Sequence, residues 1–311
     1  MNWFFVSLIT MLFWGLADLF YKKGTDEADN YSHLKIAVWV GLVMGVASLT
    51  LLPFSESGFS FGSFIVSAVK YSPASVSYIL SMVIGYAGMR YLEVSIISPV
   101  QNASGALSTI AMAVYFALMG TLGSFWEEFS VLDVIGTIII VVGVIALAFI
   151  ERERADNKIS KSVPALIFPL LYCLFDTIGT AADGIILDEE AGLALGEIDV
   201  LILYGLTFML CGLLAWLFLL FKTHKLYNPF AGSEMNKCLA AVFEECGQIF
   251  YVFAMATRPL LAAPMVASYC IVSVILSRVF IKEKLKRAQY ICVFTVIAGI
   301  VILGISEGIN Y

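Results

Sequence analysis

The chain has little charge. Only 14% of its 311 residues are Asp, Glu, Lys or Arg, while 60% are hydrophobic. An ordinary soluble protein is about 25% charged. Too few charges remain to wet the surface of a soluble fold this long, and the apolar residues fall in uninterrupted runs. The composition therefore points to an integral membrane protein. Histidine is scarce: His33 and His224 stand outside any motif, which argues against a histidine-based catalytic centre. None of the six cysteines (Cys173, Cys211, Cys238, Cys246, Cys270, Cys292) forms a Cys-x-x-Cys pair, so neither a disulfide framework nor a zinc site is indicated. A Gly-x-x-x-x-Gly-Lys-Ser/Thr loop is missing, so the chain is expected to carry no ATPase of its own. The first segment lacks a basic n-region and an Ala-x-Ala-like site, and it reads as a membrane helix, not a cleavable signal. No connection is long enough for a soluble domain, and no low-complexity tract occurs.

What is present is a set of apolar runs. About 20 such residues cross a bilayer as a helix. On that rule ten spans are expected, at roughly 2–21, 34–54, 74–92, 95–120, 131–150, 163–186, 198–221, 236–257, 260–281 and 288–306. Phe61 to Val69 is apolar but too short to cross, so 57–73 reads as an interfacial piece before the third span. Lys22, Lys23, Lys35, Arg152, Arg154, Lys158, Lys161, Lys222, Lys225, Lys237, Lys282, Lys284, Lys286 and Arg287 fall at one face, and Lys70, Arg90 and Arg258 at the other end. The second face is acidic, with Glu127, Glu128, Asp133, Asp188, Glu189, Glu190, Glu197 and Asp199. The positive-inside rule puts the basic face in the cytoplasm and both termini outside, in a multi-pass plasma (inner) membrane protein.

A seven-residue phrase occurs twice, as Leu12-Phe13-Trp14-Gly15-Leu16-Ala17-Asp18 and as Leu170-Leu171-Tyr172-Cys173-Leu174-Phe175-Asp176. Each copy places an aromatic four residues before a carboxylate inside an apolar run. Acids are costly there, so their recurrence points to duplication. Tyr86 to Pro99 aligns with Tyr251 to Pro264, and Gly143 to Glu151 with Gly299 to Glu307. The offsets are 158 residues at the acids, 165 at the prolines and 156 at the last pair, so Gly120 to Glu128 is the place of an insertion. Each half, 1–150 and 163–311, then holds five spans, joined by a cytoplasmic linker at 151–162. An odd number of spans turns the second half over. The expected fold is all-α, ten transmembrane helices as two inverted five-helix repeats around a central cavity.

These features resemble the drug/metabolite transporter superfamily and, within it, the ten-helix EamA-type branch. The resemblance covers essentially the whole chain. It rests on Leu12-Phe13-Trp14-Gly15, the run Ala263-Pro264-Met265-Val266-Ala267-Ser268, Phe280-Ile281-Lys282-Glu283-Lys284-Leu285, and Ala298-Gly299-Ile300-Val301-Ile302-Leu303. The first half departs from the family pattern, since Gly120 to Glu128 replaces a compact turn. The resemblance implies two inverted repeats and a cavity lined by spans other than the fifth and tenth. It names no substrate.

The candidate site follows from the polar residues in the spans. Asp18 and Asp176 each need a cavity, a partner or water. Asp18 lies four residues before Lys22, with which a pair is the alternative reading. Glu244 and Glu245 lie in the eighth span with Gln248 one turn on. Their first-half equivalents are Ile79 and Leu80, so the pair breaks the symmetry. Only one of the two acids can face a cavity, leaving the other protonated or paired, with Arg278 as a candidate partner. Asp183 lies near the outer end of its span and is expected to be hydrated. His33 and His224 read as surface residues. Trp14 and Tyr172 stand one turn before the acids. Trp39, Tyr78, Tyr115, Tyr204, Phe243 and Tyr269 are further mid-membrane aromatics. Asn102, Ser104 and Gly105 follow Pro99 in the fourth span, where the proline frees a backbone carbonyl. Carboxylates with aromatics suit a cationic ligand, because ring faces attract ammonium groups.

The reading is a secondary transporter of a small cationic or zwitterionic metabolite or drug: an amine, a quaternary ammonium compound such as choline, or an amino acid. Its binding residues would be Asp18, Asp176, Glu244, Glu245, Gln248, Trp14, Tyr172, Asn102, Tyr78, Tyr204 and Tyr269, with the proton as a coupling ion. No enzyme activity, cofactor, metal or nucleic-acid partner is expected, and the oligomeric state is a monomer or homodimer. The competing classes are a membrane-embedded lipid-modifying enzyme, which would need a catalytic constellation at one membrane face, and a channel or lipid-handling protein.

Overall fold

A computed structural model describes residues 2–26, 28–55, 58, 61–91, 97–98, 101–121, 129–155, 163–188, 195–282 and 284–310. Among these residues the fold is all helix, with no strand. The helices are α1 Trp3–Gly24, α2 Ser32–Leu51, α3 Phe61–Gly88, α4 Ser104–Met119, α5 Val131–Ala155, α6 Val163–Ile186, α7 Glu197–Thr223, α8 Met235–Thr257, α9 Pro259–Ala267, α10 Tyr269–Leu276 and α11 Arg287–Asn310. Among the described residues, seven segments are long and apolar enough to cross a membrane: Trp3–Gly24, Ser32–Phe54, Ile167–Ile186, Glu197–Thr223, Gly232–Thr257, Pro259–Ile281 and Arg287–Ile309. Ser104–Met119 and Val131–Leu147 are apolar but shorter. The chain is a multi-pass, all-α membrane protein. Its polarity is turned inside out, as lipid demands. Leu118, Phe221, Leu214 and Phe149 are exposed, while Asp18, Asp183, Glu244 and Gln248 are buried.

Local chemistry sets the helix ends. The Asn2 side chain accepts from the Phe4 and Phe5 N–H groups and caps α1, whose last turn holds Lys22 and Lys23. The two termini meet: Trp3 Nε1 donates to Glu307 Oε2 at 2.6 Å, and Asn2 Nδ2 to Glu307 Oε1 at 3.0 Å. Between α1 and α2, Asp29 takes the Lys35 ammonium at 2.7 Å. Partial burial pushes the Asp29 carboxyl up, but the bonds from Lys35 and the Tyr31 N–H outweigh it and hold it below the usual range.

Packing brings together helices distant in sequence. α1 lies against α8 and α3 against α6; α2 packs on α7, α4 on α9, and α5 on α11. Further contacts join α1 to α10, α4 to α6, α2 to α8 and α3 to α7. The α2–α7 crossing is close because Gly41 meets Gly212, with room for no side chain between them. Small residues at such crossings let helices associate where lipid supplies no hydrophobic drive.

The structure corrects three sequence expectations here. Phe61 to Val69 is not a separate interfacial piece: α3 runs unbroken from Phe61 to Gly88 through Pro73. Proline removes the N–H that would bond the Val69 carbonyl, and the Ser72 hydroxyl takes that carbonyl instead, at 2.8 Å. Arg90 belongs with the basic end, since its Nη2 donates to Asn30 Oδ1 in the α1–α2 connection at 3.1 Å. The expected linker at 151–162 begins as helix, because α5 continues to Ala155. Residues 156–162, with Lys158 and Lys161, lie outside the described residues, as do Pro99, Glu127, Glu128, Glu189, Glu190, Glu283 and most of the expected 120–128 insertion.

Candidate functional site

One cavity lies at the centre of the bundle, and helical periodicity explains which side chains reach it. On α1, Trp14, Asp18 and Tyr21 fall at i, i+4 and i+7, a single face. On α6, Tyr172, Asp176 and Thr180 fall at i, i+4 and i+8, again one face. On α8 the stripe is Glu244, Gln248 and Tyr251, and on α3 it is Tyr78, Met82, Gly85 and Tyr86, with Met89 just past its end. Tyr204 enters from α7. Gln101, Asn102, Ser104 and Gly105 enter at the start of α4, and Tyr269 at the start of α10. The last two groups sit at helix breaks. Residues 101–102 are helical, Ala103 turns, and α4 begins at Ser104; α9 ends at Ala267, Ser268 turns, and α10 begins at Tyr269. Each break turns polar side chains toward the cavity, which suits irregular backbone inside a membrane.

The carboxyls are held by hydroxyls. Asp18 Oδ2 accepts from Ser98 Oγ and Ser273 Oγ, both at 2.7 Å. Asp176 Oδ2 accepts from Ser104 Oγ at 2.6 Å. The Tyr21 hydroxyl reaches the Glu244 carboxyl, which lies within electrostatic range of Asp18 and Asp176. The expected Asp18–Lys22 pair does not form; Lys22 Nζ donates to the Met89 carbonyl at 2.7 Å. Among the described residues, the lining has three carboxyls and no Lys, Arg or His. Aromatics close the walls. Trp14 sits 5.1 Å from Tyr251 and 5.6 Å from Tyr269 between ring centroids, and its Nε1 donates to the Glu244 carbonyl at 3.2 Å. Gly247 clears the space for the Trp14 ring. Among the described residues, Gln101 Nε2 and Gln248 Nε2 have no hydrogen-bond partner. The cavity volume is about 50 Å³, room for a few waters at roughly 10–15 Å³ each.

Of the residues expected from sequence, Asp18, Asp176, Glu244, Gln248, Trp14 and Tyr172 line this cavity, together with Asn102, Tyr78, Tyr204 and Tyr269. Glu245 does not. It is buried, but one residue along an α-helix is about 100° around it, and Glu244 holds the inward position. Trp39, Tyr115 and Phe243 pack elsewhere, against Phe230, Phe116 and Phe20 respectively. Sequence reasoning missed Tyr21 and Gln101, and it used Tyr86 and Tyr251 only as markers of the repeat. A signal was available for two of them: Tyr21 follows Trp14 by seven residues, and Tyr251 follows Glu244 by seven.

The two glutamates give a direct contrast. Glu244→Gln is expected to weaken ligand binding at least about tenfold, a change of roughly 1.4 kcal/mol. Glu245→Gln should leave affinity within about twofold. Calorimetric titration of both variants checks this, and equal losses would contradict the rotation of α8 described above.

No family model matches the chain, and no curated protein matches it. One solved structure, described only as "Crystal structure of protein", superposes on it with a TM-score of 0.62 at 12% identity, over 98% of this chain and 97% of the other. At that identity the likeness shows the fold alone.

Proposed function

We propose that the chain is a secondary transporter of the EamA type in the drug/metabolite transporter superfamily. Two inverted five-helix repeats, 1–150 and 163–311, surround the cavity, the basic face lies in the cytoplasm, and the protein sits in the cell membrane. The repeat reading is supported by the packing pairs. Exchanging α1 with α6, α2 with α7, α3 with α8, α4 with α9 and α10, and α5 with α11 maps α1–α8 onto α6–α3 and α2–α8 onto α7–α3. The turns at Ala103 and Ser268 share the 165-residue offset of the aligned prolines. Neither α5 nor α11 contributes to the lining. Alternating access about a central site is what such a repeat serves.

The substrate reading rests on one observation: Asp18, Asp176 and Glu244 converge from three helices on an aromatic cavity whose described lining carries no basic side chain. Carboxylates supply the counter-charge of an ammonium group and rings supply faces for it. The unpartnered amides of Gln101 and Gln248 add donors for an acceptor group on the same ligand. Together these favour a small cationic or zwitterionic molecule. The test is a thermal-shift screen of the purified protein with choline, simple amines and amino acids. A ligand at 100 times its Kd is expected to stabilise the fold by about 2.7 kcal/mol. No stabilisation by any of the three classes would sink the substrate assignment.

A further inference from the structure

We propose that Asp183 is a proton-binding site set behind the cavity wall, separate from the acids that face the cavity. Asp183 lies on α6 seven residues after Asp176, and the sequence reading treated it as hydrated. The structure corrects this: Asp183 is 0% exposed. Its Oδ1 accepts from the Tyr71 hydroxyl at 3.0 Å, and among the described residues its Oδ2 has no hydrogen-bond partner. An ionised carboxylate has about four acceptor positions to satisfy, and leaving most of them empty in a dry interior is costly. The titratable groups facing it are Tyr71 and Tyr78 from α3, Tyr204 from α7 and Tyr251 from α8. All four are hydroxyls, and none supplies the positive counter-charge that a buried carboxylate needs. Among the described residues, no group of three or more His, Cys, Asp or Glu stands here to hold a metal cation. A proton needs only the empty Oδ2.

A hydroxyl path joins this carboxyl to the cavity. The Tyr251 hydroxyl interacts with Asp183 and lies 2.5 Å from the Tyr78 hydroxyl, which in turn reaches Thr180 Oγ1 at 3.2 Å. Tyr78, Thr180 and Tyr251 all line the cavity. In the binding step, a hydronium ion in the cavity gives its extra proton to the chain and is left as water. Each hydroxyl accepts one proton and passes one on, and the last O–H bond forms at Asp183, so the carboxylate becomes the acid while the tyrosines are unchanged. Under the transport reading above, on which this last point rests, Asp183 holds the coupling proton while Asp18, Asp176 and Glu244 hold the substrate. The Tyr78–Tyr251 pair is the joint between them, since an ionised Asp183 draws the Tyr251 hydroxyl toward itself and away from Tyr78.

Infrared difference spectra of the protein in liposomes, taken between mildly acidic and mildly alkaline buffer without substrate, test the site. The expected result is a carboxylic-acid carbonyl band that disappears in Asp183→Asn and moves in Asp183→Glu. Tyr251→Phe should keep the band but slow its exchange with deuterated water at least tenfold. A full spectrum in both Asp183 variants overturns the site, and unchanged exchange in Tyr251→Phe overturns the path. Because no substrate is present, these outcomes stand or fall separately from the transport reading. In liposomes where the unaltered protein accumulates choline against a pH gradient, Asp183→Asn should lose accumulation at least tenfold while exchanging choline at equal pH. Undiminished accumulation overturns the coupling role.

Discussion

Asp176→Asn is expected to abolish uptake of a cationic substrate by proteoliposomes while leaving the protein folded. The substitution keeps size and shape, and the asparagine oxygen accepts the Ser104 hydroxyl that bonds Asp176 Oδ2 at 2.6 Å. What is lost is the charge. Removing one partner of a desolvated charge pair costs about 2–5 kcal/mol, and 2 kcal/mol alone is roughly a 25-fold loss of affinity. The effect should exceed that of Asp18→Asn. Asp18 Oδ2 is already shared by two serines, Ser98 and Ser273, and Asp18 is 5% exposed whereas Asp176 is half-buried. Asp176 is therefore the freer of the two to meet a ligand. Initial rates of labelled choline or amine uptake, with detergent-solution chromatography as the folding control, decide the point. Wild-type uptake by Asp176→Asn would remove the carboxylate from the substrate site.

The acids were visible in the sequence for a physical reason. A carboxylate inside an apolar run is expensive, so Asp18, Asp176 and the Glu244–Glu245 pair stand out without any structure. Period 3.6 then found the aromatics one turn away. What sequence could not give was rotation. Whether Glu244 or Glu245 faces inward depends on how α8 sits against α1 and α2, which is a tertiary fact. The same limit explains the tyrosines: each is common in a membrane chain, and only the meeting of α1, α3 and α8 sets Tyr21, Tyr86 and Tyr251 around one space.

Two misreadings meet at one contact. The run Phe61 to Val69 reads as too short to cross, and Asp183 reads as hydrated because it lies near the end of its span. In the structure α3 continues through that stretch and carries Tyr71, itself fully buried, onto the Asp183 carboxyl. The shortness of the apolar run set the mistaken boundary, yet α3 does not stop at Pro73. A proline normally interrupts a helix, but the Ser72 hydroxyl on the Val69 carbonyl satisfies the freed acceptor and lets α3 pass. The error at Arg90 was one of bookkeeping along the chain, and the bond to Asn30 puts that residue with Lys22 at the basic end.

The largest loss of stability is expected from Gly41→Leu. A Cβ on Gly41 would stand 2.5 Å from the Phe208 carbonyl oxygen, 2.8 Å from the Gly212 Cα and 3.0 Å from the Gly212 N. All three are backbone atoms of α7, so no side-chain rotation can relieve the clash, and α2 must move away from its partner. Separation also strips contacts from Ala37, Val38, Ala215 and Leu219, the buried cluster at this crossing. Overpacking costs about 1–3 kcal/mol and sometimes more. A backbone clash on a helix pair held by close approach belongs at the upper end. Gly62 on α3 provides the contrast. A Cβ there would have no atom within 4 Å. Gly62→Ala should therefore unfold near wild type in a denaturing-detergent titration, and Gly41→Ala clearly earlier. Equal midpoints for the two alanine variants would mean that the α2–α7 crossing is looser than this geometry requires.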